Sequence, residues 1–335
     1  MTDATFDEII EMNDRFHDSA LLHFAVKSEL FEQLIAPMTV NQLSQQRGWL
    51  LRKTRLLLDA LVALGLLQKE DNDYCSVPAA AELLRSGSPN SLVPVIEHQR
   101  LQWESWSNIE EILTCTGAHN TQQNVRLAHD KGASQTYNTA MRNLSIGNIR
   151  AFLDMNIAQP EDYILDLAGG HGFYLAEIVR KYPRSCGAVF ELPQVAEFAR
   201  DALASPVITD RVDVKVQDIS VEGMLAGYSA DLILLNNCLH YFDASSAGNI
   251  VREAVNALRP DGRVVITAVH LDDTATSPVP AAKFAFHMMM NAKEGGLHTT
   301  SALQGFISDT GLRPRVTPGG SLGIMDVDVI WAQKS

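Results

Sequence analysis

Residues 163–183 read YILDLAGGHGFYLAEIVRKYP, and this stretch decides the fold of the longer part of the chain. A short apolar run ends in Asp166, and an amphipathic run with apolar residues at Leu175, Ile178 and Val179 follows. Between the two runs lie three glycines: Gly169, Gly170 and Gly172. This order predicts a strand, a glycine-rich turn and a helix, the opening unit of a nucleotide-binding α/β sheet. At a glycine, a ligand can approach the backbone where any Cβ would collide with it.

Two features favour a cationic ligand over a dinucleotide. Leu175 stands where a dinucleotide-binding fingerprint has its third glycine. Asp166 precedes the glycines, where a carboxylate would repel a pyrophosphate but attract an ammonium or sulfonium group. Glu191 ends the next apolar run, about where a carboxylate can accept hydrogen bonds from ribose hydroxyls. Together these residues predict S-adenosylmethionine rather than NAD as the cofactor.

Further segments follow in the order found in one enzyme family. They are ELP at 191–193, QDI at 217–219, LLNNCLHYFD at 234–243 and LRPDGRVVIT at 258–267. With the glycine turn, these segments resemble the class I S-adenosylmethionine-dependent small-molecule methyltransferases of the caffeate and polyketide O-methyltransferase type. The resemblance covers most of the chain and includes features of the α-keto acid C-methyltransferase branch. It implies a methyltransferase of secondary metabolism.

The resemblance also implies which residues hold the cofactor. Asp166 and the glycines of the turn would do so together with residues at strand ends: Glu191, Leu192, Asp218, Ile219, Asn236 and Asn237. In the family, an acidic residue at the position of Asp218 meets the adenine edge, whereas the alternative is a helix-capping aspartate. The family often has lysine at the position of Asn236, so that contact is expected to be weaker here.

Composition and charge exclude several classes of function. The chain has 335 residues and a formal net charge of −13, which disfavours nucleic acid and anionic membranes as main partners. A small-molecule substrate is expected instead. No apolar run is long enough to span a membrane, and the acidic N-terminus lacks a signal-peptide pattern, so a cytoplasmic location is expected. Cys75, Cys115, Cys186 and Cys238 lack paired spacing and are expected to be reduced thiols.

The pattern divides the chain into three predicted parts. Residues 1–100 are helical, with Thr39 as a candidate N-cap, and end in two short extended runs around a polar turn, which predicts a winged-helix-like domain. Residues 101–155 predict linking helices that contribute to the substrate pocket. Residues 156–335 alternate strand-like and helical segments, which predicts a Rossmann-like, doubly wound α/β sheet that binds the cofactor. The expected fold class is therefore α/β with an N-terminal helical winged-helix dimerisation domain.

The winged-helix pattern raises a rival function, a DNA-binding regulator that senses a ligand. Its second helix offers Arg52, Lys53 and Arg55, but the segment from Thr54, TRLLLDALVALGLL, is almost wholly apolar. A helix that reads bases must expose polar side chains, so this helix is expected in a dimer interface instead. The resemblance likewise implies a homodimer in which each subunit helps to close the other's site.

His240 is the candidate general base. It lies in LHYFD just beyond a predicted strand, at the position of the histidine that deprotonates the acceptor hydroxyl in the O-methyltransferases. An imidazole with an ordinary pKa of about 6.5 suits that role. In plant relatives a glutamate near the end of the following strand orients this histidine, and the aligned position here is Ala268. The ordinary O-methylation mechanism therefore lacks one of its parts.

One predicted helix, YNTAMRNLSIGN, supplies candidate substrate contacts. Its spacing puts Tyr137, Met141 and Leu144 on one face, with Leu144 expected in the core. The equivalent helix covers the substrate pocket in the family, so Tyr137, Met141 and Arg142 are candidates for substrate contact by resemblance. Either Arg142 or Arg126 could pair with a substrate carboxylate.

His287 introduces a second reaction. It lies eight residues before Gly295, where the family usually has an aspartate, so His240 and His287 are expected to face one pocket; His270 or His298 could replace His287. Two neutral imidazoles with water and a chelating substrate could hold a divalent metal such as iron. A metal-stabilised enolate would permit β-C-methylation of an α-keto acid of the arylpyruvate or guanidino-oxopentanoate type, the preferred reaction. The alternative is O-methylation of an aromatic hydroxyl, with His240 as base and no metal.

Overall fold

A computed structural model describes residues 4–114, 131–292 and 294–335. The chain forms two compact units, Met1–Trp103 and Glu104–Ser335. Within the described ranges, no helix combines the length and apolar content needed to cross a bilayer. Cys75, Cys186 and Cys238 are free cysteines, and Cys115 lies outside the described residues.

The first unit is mainly helical. Its helices are α1 (Phe6–Lys27), α2 (Leu30–Gln33), α3 (Val40–Arg47), α4 (Leu51–Ala63), α5 (Pro78–Leu83) and α6 (Val93–Ser107), the last of which continues past the unit boundary. The strands β1 (Met38–Thr39), β2 (Leu67–Glu70) and β3 (Asp73–Ser76) form an antiparallel sheet in the order β1–β3–β2. The expected order of helix, helix and hairpin is present as α3, α4 and the β2–β3 hairpin. The winged-helix description itself stays a prediction.

Local sequence explains where α3 begins and ends. The Thr39 hydroxyl accepts a hydrogen bond from the Gln42 amide at 3.2 Å, and Gln42 Oε1 accepts one from the Thr39 amide at 2.9 Å. This reciprocal pair is a capping box, and it confirms Thr39 as the N-cap. The helix ends at Gly48, whose φ of +66° lies in the left-handed region that glycine adopts without strain.

Apolar side chains remain exposed on two helices of the first unit. Along α1, Phe6, Ile9 and Phe16 recur at helical spacing and are all exposed in the single chain. On α4, Leu58 is fully buried, whereas Leu56 is exposed. Contiguous exposed apolar surface of this kind marks an interaction surface. The apolar character of these helices is therefore only partly explained by the core of their own unit.

The second unit is built on a seven-stranded sheet. Its strands are β4 (Tyr163–Leu167), β5 (Cys186–Glu191), β6 (Val212–Val216), β7 (Ala230–Asn236), β8 (Leu258–Val269), β9 (Arg315–Leu322) and β10 (Met325–Gln333). The strand order is β6–β5–β4–β7–β8–β10–β9. The pairs from β6 to β8 are parallel, and β10 runs antiparallel to both β8 and β9. This mostly parallel α/β sheet confirms the predicted fold class.

Helices precede and connect these strands. They are α7 (Ile109–Thr114), α8 (Lys131–Asp154), α9 (Phe173–Lys181), α10 (Pro193–Ala202), α11 (Ala244–Asn256), α12 (Val279–Asn291) and α13 (Thr300–Ser308). Along β7, Leu232 and Leu234 belong to the hydrophobic core on one face of the sheet, and Ile233 and Leu235 to the core on the other. Such continuous apolar strands are typical of a parallel sheet covered on both faces.

The topology places a ligand crevice at the end of β4. From β4 the sheet extends through β5 and β6 on one side and through β7 and β8 on the other. Ligands of open α/β sheets bind at such a switch point, beyond the carboxyl ends of the strands. Asp166 pairs in register with Leu234 of β7, so the carboxyl ends of β4 and β7 lie side by side.

One strand, β9, was not predicted from the sequence. It contains Pro318, Gly319 and Gly320, residues that disfavour a strand assignment. The strand lies at the edge of the sheet, where a missing N–H donor is tolerated. Gly319 is needed for close packing, because a Cβ there would lie 2.7 Å from Cγ2 of Val329. Pairing with β10 therefore overrides the local preference.

Candidate active site

The predicted glycine turn joins β4 to α9 at the carboxyl edge of the sheet. Packing requires Gly169, because a Cβ there would lie 2.5 Å from Cγ of Asp166. Gly170 and Gly172 adopt φ values of +57° and +66°, which favour glycine. A Cβ built on Gly170 meets no heavy atom within 4 Å. The turn therefore combines a buried carboxylate with open space above the adjacent backbone.

Asp166 is a buried carboxyl group with no cation beside it in the described part of the chain. The residue is 1 % exposed, and neither carboxyl oxygen makes a hydrogen bond of normal geometry there. Burial, followed by the charge of Glu191, raises the pKa of Asp166 to about 7, although the Asn236 amide and the Leu175 N–H oppose the rise. A buried carboxylate is costly without a donor or cation to pair with it. These residues fit a ligand with an ammonium or sulfonium group.

Glu191 links the glycine turn to the end of β5. Its Oε1 accepts a hydrogen bond from the Gly170 amide at 2.8 Å, and its Oε2 accepts one from the Leu192 amide at 2.9 Å. Burial raises the pKa of Glu191, and the two amide bonds oppose that rise. Carboxylate oxygens have further lone pairs, so Glu191 can still accept from a ligand hydroxyl. Its contact with the ribose stays a prediction.

Two asparagines lie at the carboxyl end of β7, next to Asp166. Asn236 Oδ1 accepts a hydrogen bond from the Thr267 hydroxyl at 2.7 Å, and its buried Nδ2, which faces Asp166, makes no hydrogen bond of normal geometry to the described residues. Asn237 adopts a φ of +50°, and its buried Oδ1 also lacks a partner in the same ranges. Both side chains therefore have polar atoms left for a ligand.

The other predicted cofactor contacts follow β5 and β6. Asp218 is exposed, and its Oδ1 accepts hydrogen bonds from the Ser220 amide at 2.9 Å and the Ser220 hydroxyl at 2.7 Å. These bonds form a local turn rather than the helix cap that the sequence left open as an alternative, because no helix begins at this point of the structure. Ile219 is buried, and Leu192 precedes α10 with an exposed side chain. Adenine recognition by Asp218 stays a prediction.

His240 lies in a short 3-10 turn, Leu239–Tyr241, just beyond β7. The residue is 8 % exposed, and its imidazole has no hydrogen bond to the described residues. Its ring centroid lies 4.7 Å from that of Tyr241 and 5.6 Å from that of Phe284. Burial, with smaller effects from His298 and His287, lowers the pKa of His240 to about 3. The imidazole is therefore neutral near pH 7 and can accept a proton.

His298 lies between α12 and α13 and contacts the backbone of this turn. Its Nε2 donates to the carbonyl oxygens of Leu239 at 3.2 Å and Phe242 at 3.1 Å. Burial lowers the pKa of His298, and the two carbonyl groups oppose that change. Carbonyl oxygens only accept hydrogen bonds, so the ring proton lies on Nε2. That nitrogen is therefore occupied by the backbone.

His287 lies on α12 between two aromatic rings. Its centroid lies 6.2 Å from that of Trp106 and 5.8 Å from that of Phe284, in stacked arrangements. The Asn291 amide nitrogen lies 3.1 Å from His287 Nε2. Burial lowers the pKa of His287 to about 4. His240 and His287, predicted to face one pocket, thus contact the same phenylalanine as neutral imidazoles.

His270, the other candidate ligand, pairs with a carboxylate instead. Its Nδ1 lies 2.7 Å from Oδ2 of Asp328, which also accepts a hydrogen bond from Thr300 at 2.6 Å. Asp328 is the cross-strand partner of Ala268, so the carboxylate opposite that position in the sheet is already bound to other groups. The Ala268 side chain itself offers His240 no orienting carboxylate.

The predicted metal site lacks a full set of protein ligands. Among residues 4–114, 131–292 and 294–335, no group of three or more His, Cys, Asp or Glu side chains could hold a metal ion. His240 and His287 supply two imidazoles, and the Asn291 amide already lies against His287. These residues do not fit a metal centre held by the protein alone. Metal binding by the two histidines stays a prediction.

The candidate substrate residues on α8 separate into two groups. The Tyr137 hydroxyl lies 3.2 Å from the Tyr241 hydroxyl, so this end of α8 contacts the His240 turn. Burial raises the pKa of Tyr137, and the charge of Glu191 adds to the rise. Met141, one helical turn further along α8, is half-buried. Tyr137 therefore contacts the turn that carries the candidate base and lies within electrostatic reach of Glu191.

Arg142 contacts the glycine-turn region rather than the histidines. Its guanidinium carbon lies 5.0 Å from the ring centroid of Phe173, the first residue of α9. Burial, followed by the charge of Arg142, lowers the pKa of His171 to about 4. His171 Nδ1 accepts a hydrogen bond from the Phe173 amide at 3.0 Å, so it is neutral there. Arg126, the alternative carboxylate partner, lies outside the described residues.

Three aromatic residues beside the histidines were not predicted: Tyr241, Phe284 and Trp106. Tyr241 directly follows His240 in LHYFD, and Phe284 precedes His287 by three residues, one helical turn, so local spacing could have indicated both. Trp106 is distant in sequence, and no local signal joins it to His287. These rings give the surroundings of the histidines an aromatic character.

Comparisons with known proteins agree with this geometry. A family model described as an O-methyltransferase domain matches residues 116–313, and one described as an O-methyltransferase dimerisation domain matches residues 10–86. The chain is 27 % identical over 277 residues to 3-hydroxy-5-methyl-1-naphthoate 3-O-methyltransferase from Streptomyces sahachiroi, covering 79 % of this chain and 78 % of that protein.

Solved structures show the same fold over the full length. An O-methyltransferase family protein from Burkholderia thailandensis matches with a TM-score of 0.92 and 31 % identity, covering 100 % of this chain and 99 % of that one. Human N-acetylserotonin methyltransferase in complex with SAM matches with a TM-score of 0.82 and 20 % identity, covering 100 % of both chains. The chain therefore belongs to the O-methyltransferase family, carries that family's dimerisation domain, and is an S-adenosylmethionine-dependent methyltransferase.

Proposed function

We propose that this enzyme methylates a hydroxyl oxygen of a small aromatic molecule in secondary metabolism, with His240 as the general base. One observation carries the proposal. A buried, neutral imidazole without a hydrogen-bond partner among the described residues lies just beyond β7, the strand next to Asp166. Such a group is free to accept a proton from a bound hydroxyl.

The residues at the end of β4 would hold S-adenosylmethionine, which supplies an electrophilic methyl group on a sulfonium. Asp166 offers a buried carboxylate for the cationic part of the ligand, and Glu191 fixes the glycine turn through the Gly170 amide. Because Gly170 leaves open space above its Cα, the backbone can be approached closely. The chain thus contributes binding, charge pairing and alignment, which lower the barrier without a covalent intermediate.

The environment of His240 restricts the acceptor. The His240 pKa of about 3 lies far below the ordinary phenol value of about 10, so full proton transfer from such a phenol would cost roughly 10 kcal/mol. Ala268 supplies no carboxylate to offset this cost. We therefore expect an acceptor with an acidified hydroxyl, for example one conjugated with carbonyl groups, or one whose own negative charge raises the pKa of His240 when it binds.

The named relatives and the local aromatic residues support this substrate class. The Streptomyces sahachiroi relative is named for the methylation of an oxygen on a hydroxynaphthoate, a planar aromatic acid. In this chain, Phe284 contacts both histidines, and Trp106 stacks on His287. Rings of this kind favour a flat apolar acceptor over an aliphatic one. A homodimer, assembled through the family's dimerisation domain, is part of the proposal.

C-methylation of an α-keto acid stays the second candidate. The observation that favours it is the pair of neutral imidazoles, His240 and His287, around Phe284. The named relatives that carry the O-methyl proposal offer it no support. A ligand-sensing DNA regulator is a third, weaker candidate; the chain's net charge of −13 disfavours it, and specific, salt-sensitive retention of one DNA sequence would revive it.

The test is a substrate panel with analysis of the methylated atom. Purified enzyme is incubated with S-adenosylmethionine and with phenols, hydroxyquinones, hydroxyaryl carboxylates or arylpyruvates, before and after chelation. We expect an O-methyl product from an acidic hydroxyaromatic, found by NMR, with no effect of chelation. We also expect His240→Gln to lower kcat by about 10²–10⁴ with little change in cofactor affinity. A C-methyl product that requires a metal, or full activity of His240→Gln, would contradict the proposal.

A further inference from the structure

The position of the His240 ring depends on the backbone that carries it. Its imidazole packs against Tyr241 and Phe284 but has no hydrogen-bond partner among the described residues, so no hydrogen bond there fixes its direction. The backbone of Leu239–Tyr241 is a single 3-10 turn between β7 and the Asp243 cap of α11. Such turns have poor internal hydrogen-bond geometry. Contacts from another segment are therefore needed to hold this turn rigidly.

The segment between α12 and α13 provides those contacts. The Gly296 amide donates a hydrogen bond to the His240 carbonyl at 3.0 Å. His298 Nε2 donates to the carbonyls on either side, at Leu239 and Phe242, at 3.2 Å and 3.1 Å. Three of the four carbonyls from residue 239 to residue 242 are thus bound by this segment, which we call the 295–298 clasp.

The 295–298 clasp is itself attached to rigid elements. A Cβ on Gly295 would lie 2.2 Å from the Met288 carbonyl oxygen, so glycine lets the segment pack closely against the end of α12. Thr299 follows directly and caps α13 by accepting a hydrogen bond from the Ala302 amide at 3.2 Å. The His298 ring packs edge-on against Phe306 of α13, with centroids 5.2 Å apart. The His298 ring is thereby fixed both by the hydrogen bonds of its Nε2 and by its packing against Phe306.

We propose that His298 is a positioning residue, which directs the His240 ring by binding the carbonyl oxygens of Leu239 and Phe242. This inference rests on the proposed function, in which His240 accepts the proton. His298 does not touch the reacting atoms in this scheme, and it transfers no proton. Small displacements of a catalytic group lower rates steeply, so loss of the clasp is expected to act on turnover rather than on cofactor binding.

Two variants of His298 separate the effect of its N–H donor from the effect of its packing against Phe306. His298→Phe keeps an aromatic ring beside Phe306 but removes the N–H, whereas His298→Gln keeps an N–H donor and is the matched conservative variant. We expect kcat of His298→Phe to fall by about 10- to 100-fold, with the cofactor Kd within about twofold of wild type. His298→Gln should recover most of that loss. Turnover is measured as the amount of S-adenosylhomocysteine formed. This product is the same whichever atom of the acceptor is methylated.

A pH profile distinguishes positioning from simple loss of stability. Without the clasp, the His240 ring becomes more exposed, and its pKa rises toward the ordinary value because burial is the main cause of its shift. With S-adenosylmethionine saturating at every pH, so that Asp166 does not limit the rate, the acid limb of kcat/KM for the acceptor should therefore move to higher pH in His298→Phe. A variant that only loses folded protein keeps the wild-type limb and loses rate in proportion to its active fraction, which would overturn the proposal.

The role of His240 as the base can be refuted without refuting the positioning role of His298. Full turnover in His240→Gln would refute the role of His240 as base but would leave the clasp to be tested directly. The imidazole NMR signals of His240 should then still shift and broaden in His298→Phe but not in His298→Gln. Unchanged signals in His298→Phe would overturn the positioning role, whatever His240 does in the reaction.

Discussion

The raised pKa of Asp166 makes cofactor binding depend on pH. With a pKa of about 7, the carboxyl group of the free enzyme is mostly protonated at pH 5.5 and half ionised at pH 7.0. Only the ionised form pairs with a cation, so binding lowers this pKa and releases a proton. We therefore expect the affinity for S-adenosylmethionine to increase as the pH rises through this range.

The magnitude follows from the ionised fraction. For a pKa of about 7, that fraction rises from ~3 % at pH 5.5 to ~50 % at pH 7.0, so the affinity should rise roughly 16-fold. This ratio corresponds to about 1.6 kcal/mol of binding free energy. The α-amino group of the cofactor, with an ordinary pKa of about 7.7–8.0, stays largely protonated throughout. The change in affinity is therefore assigned to the protein.

The stability of the free enzyme is expected to change with pH in the opposite direction to its affinity for the cofactor. Because the folded pKa of Asp166 lies above its ordinary value of 3.8, the native state of the free enzyme binds the proton more tightly than the unfolded chain. The resulting stabilisation is present below about pH 3.8 and is lost as the pH rises through about 7. Cofactor binding should restore stability at pH 7, where the free enzyme has lost it.

Isothermal titration calorimetry tests the binding prediction. Titrations between pH 5.5 and 7.0, in buffers of different ionisation enthalpy, give both the Kd and the number of protons released. Asp166→Asn should bind more weakly at pH 7.0 and lose the pH dependence. Asp213→Asn removes an exposed carboxylate of β6 that pairs with Lys215, and this control should keep the wild-type profile.

Two results would refute this reasoning. The first is a wild-type affinity that changes less than twofold from pH 5.5 to 7.0 without proton release. The second is a steep profile that survives in Asp166→Asn, because the titrating group would then be elsewhere. Weak binding of Asp166→Asn at all pH values, together with a flat profile, is the expected result.

Two further substitutions test packing and assembly. Asp162→Ala should destabilise the second unit by about 3–5 kcal/mol, since it removes the carboxylate that lies 2.6 Å from the buried Arg263 guanidinium. Calorimetry measures this loss, and an unchanged melting temperature would contradict it. Phe16→Glu places a charge on the exposed apolar stripe of α1 in both protomers. Burial of one phenylalanine contributes about 2 kcal/mol, so loss of both copies should weaken the dimer by about 4 kcal/mol and raise its Kd roughly 10³-fold. Analytical ultracentrifugation measures it, and an unchanged Kd would place the stripe outside the interface.

Much of the catalytic unit was predictable because its signals are local. The run from Tyr163 to Pro183 contains a strand, a turn and a helix whose apolar spacing and glycines act over a few residues. The packing adds a reason that sequence could not give, since Gly169 is needed to accommodate the Asp166 side chain. Thr39 was predictable as a cap for the same reason, because its partner Gln42 lies three residues away.

Other features escaped prediction because they depend on distant contacts. Strand β9 contains a proline and two glycines, and only its pairing with β10 makes it a strand. The aligned position Ala268 indicated a missing carboxylate, but not that Asp328, its cross-strand partner, binds His270. The low pKa of His240 is likewise a consequence of burial, which the sequence around it does not report.

The sequence by itself determined most of the order of elements and the cofactor class, because hydrophobic periodicity, glycine and charge act locally, and its resemblance to the O-methyltransferases indicated His240 as the candidate base. Only the tertiary structure decided how the candidate histidines are used. In the fold, His298 hydrogen-bonds to the backbone of the His240 turn, His270 pairs with Asp328, and His287 stacks against aromatic rings. These outcomes depend on which segments pack together and on how completely they exclude water, and residues far apart in the chain set both.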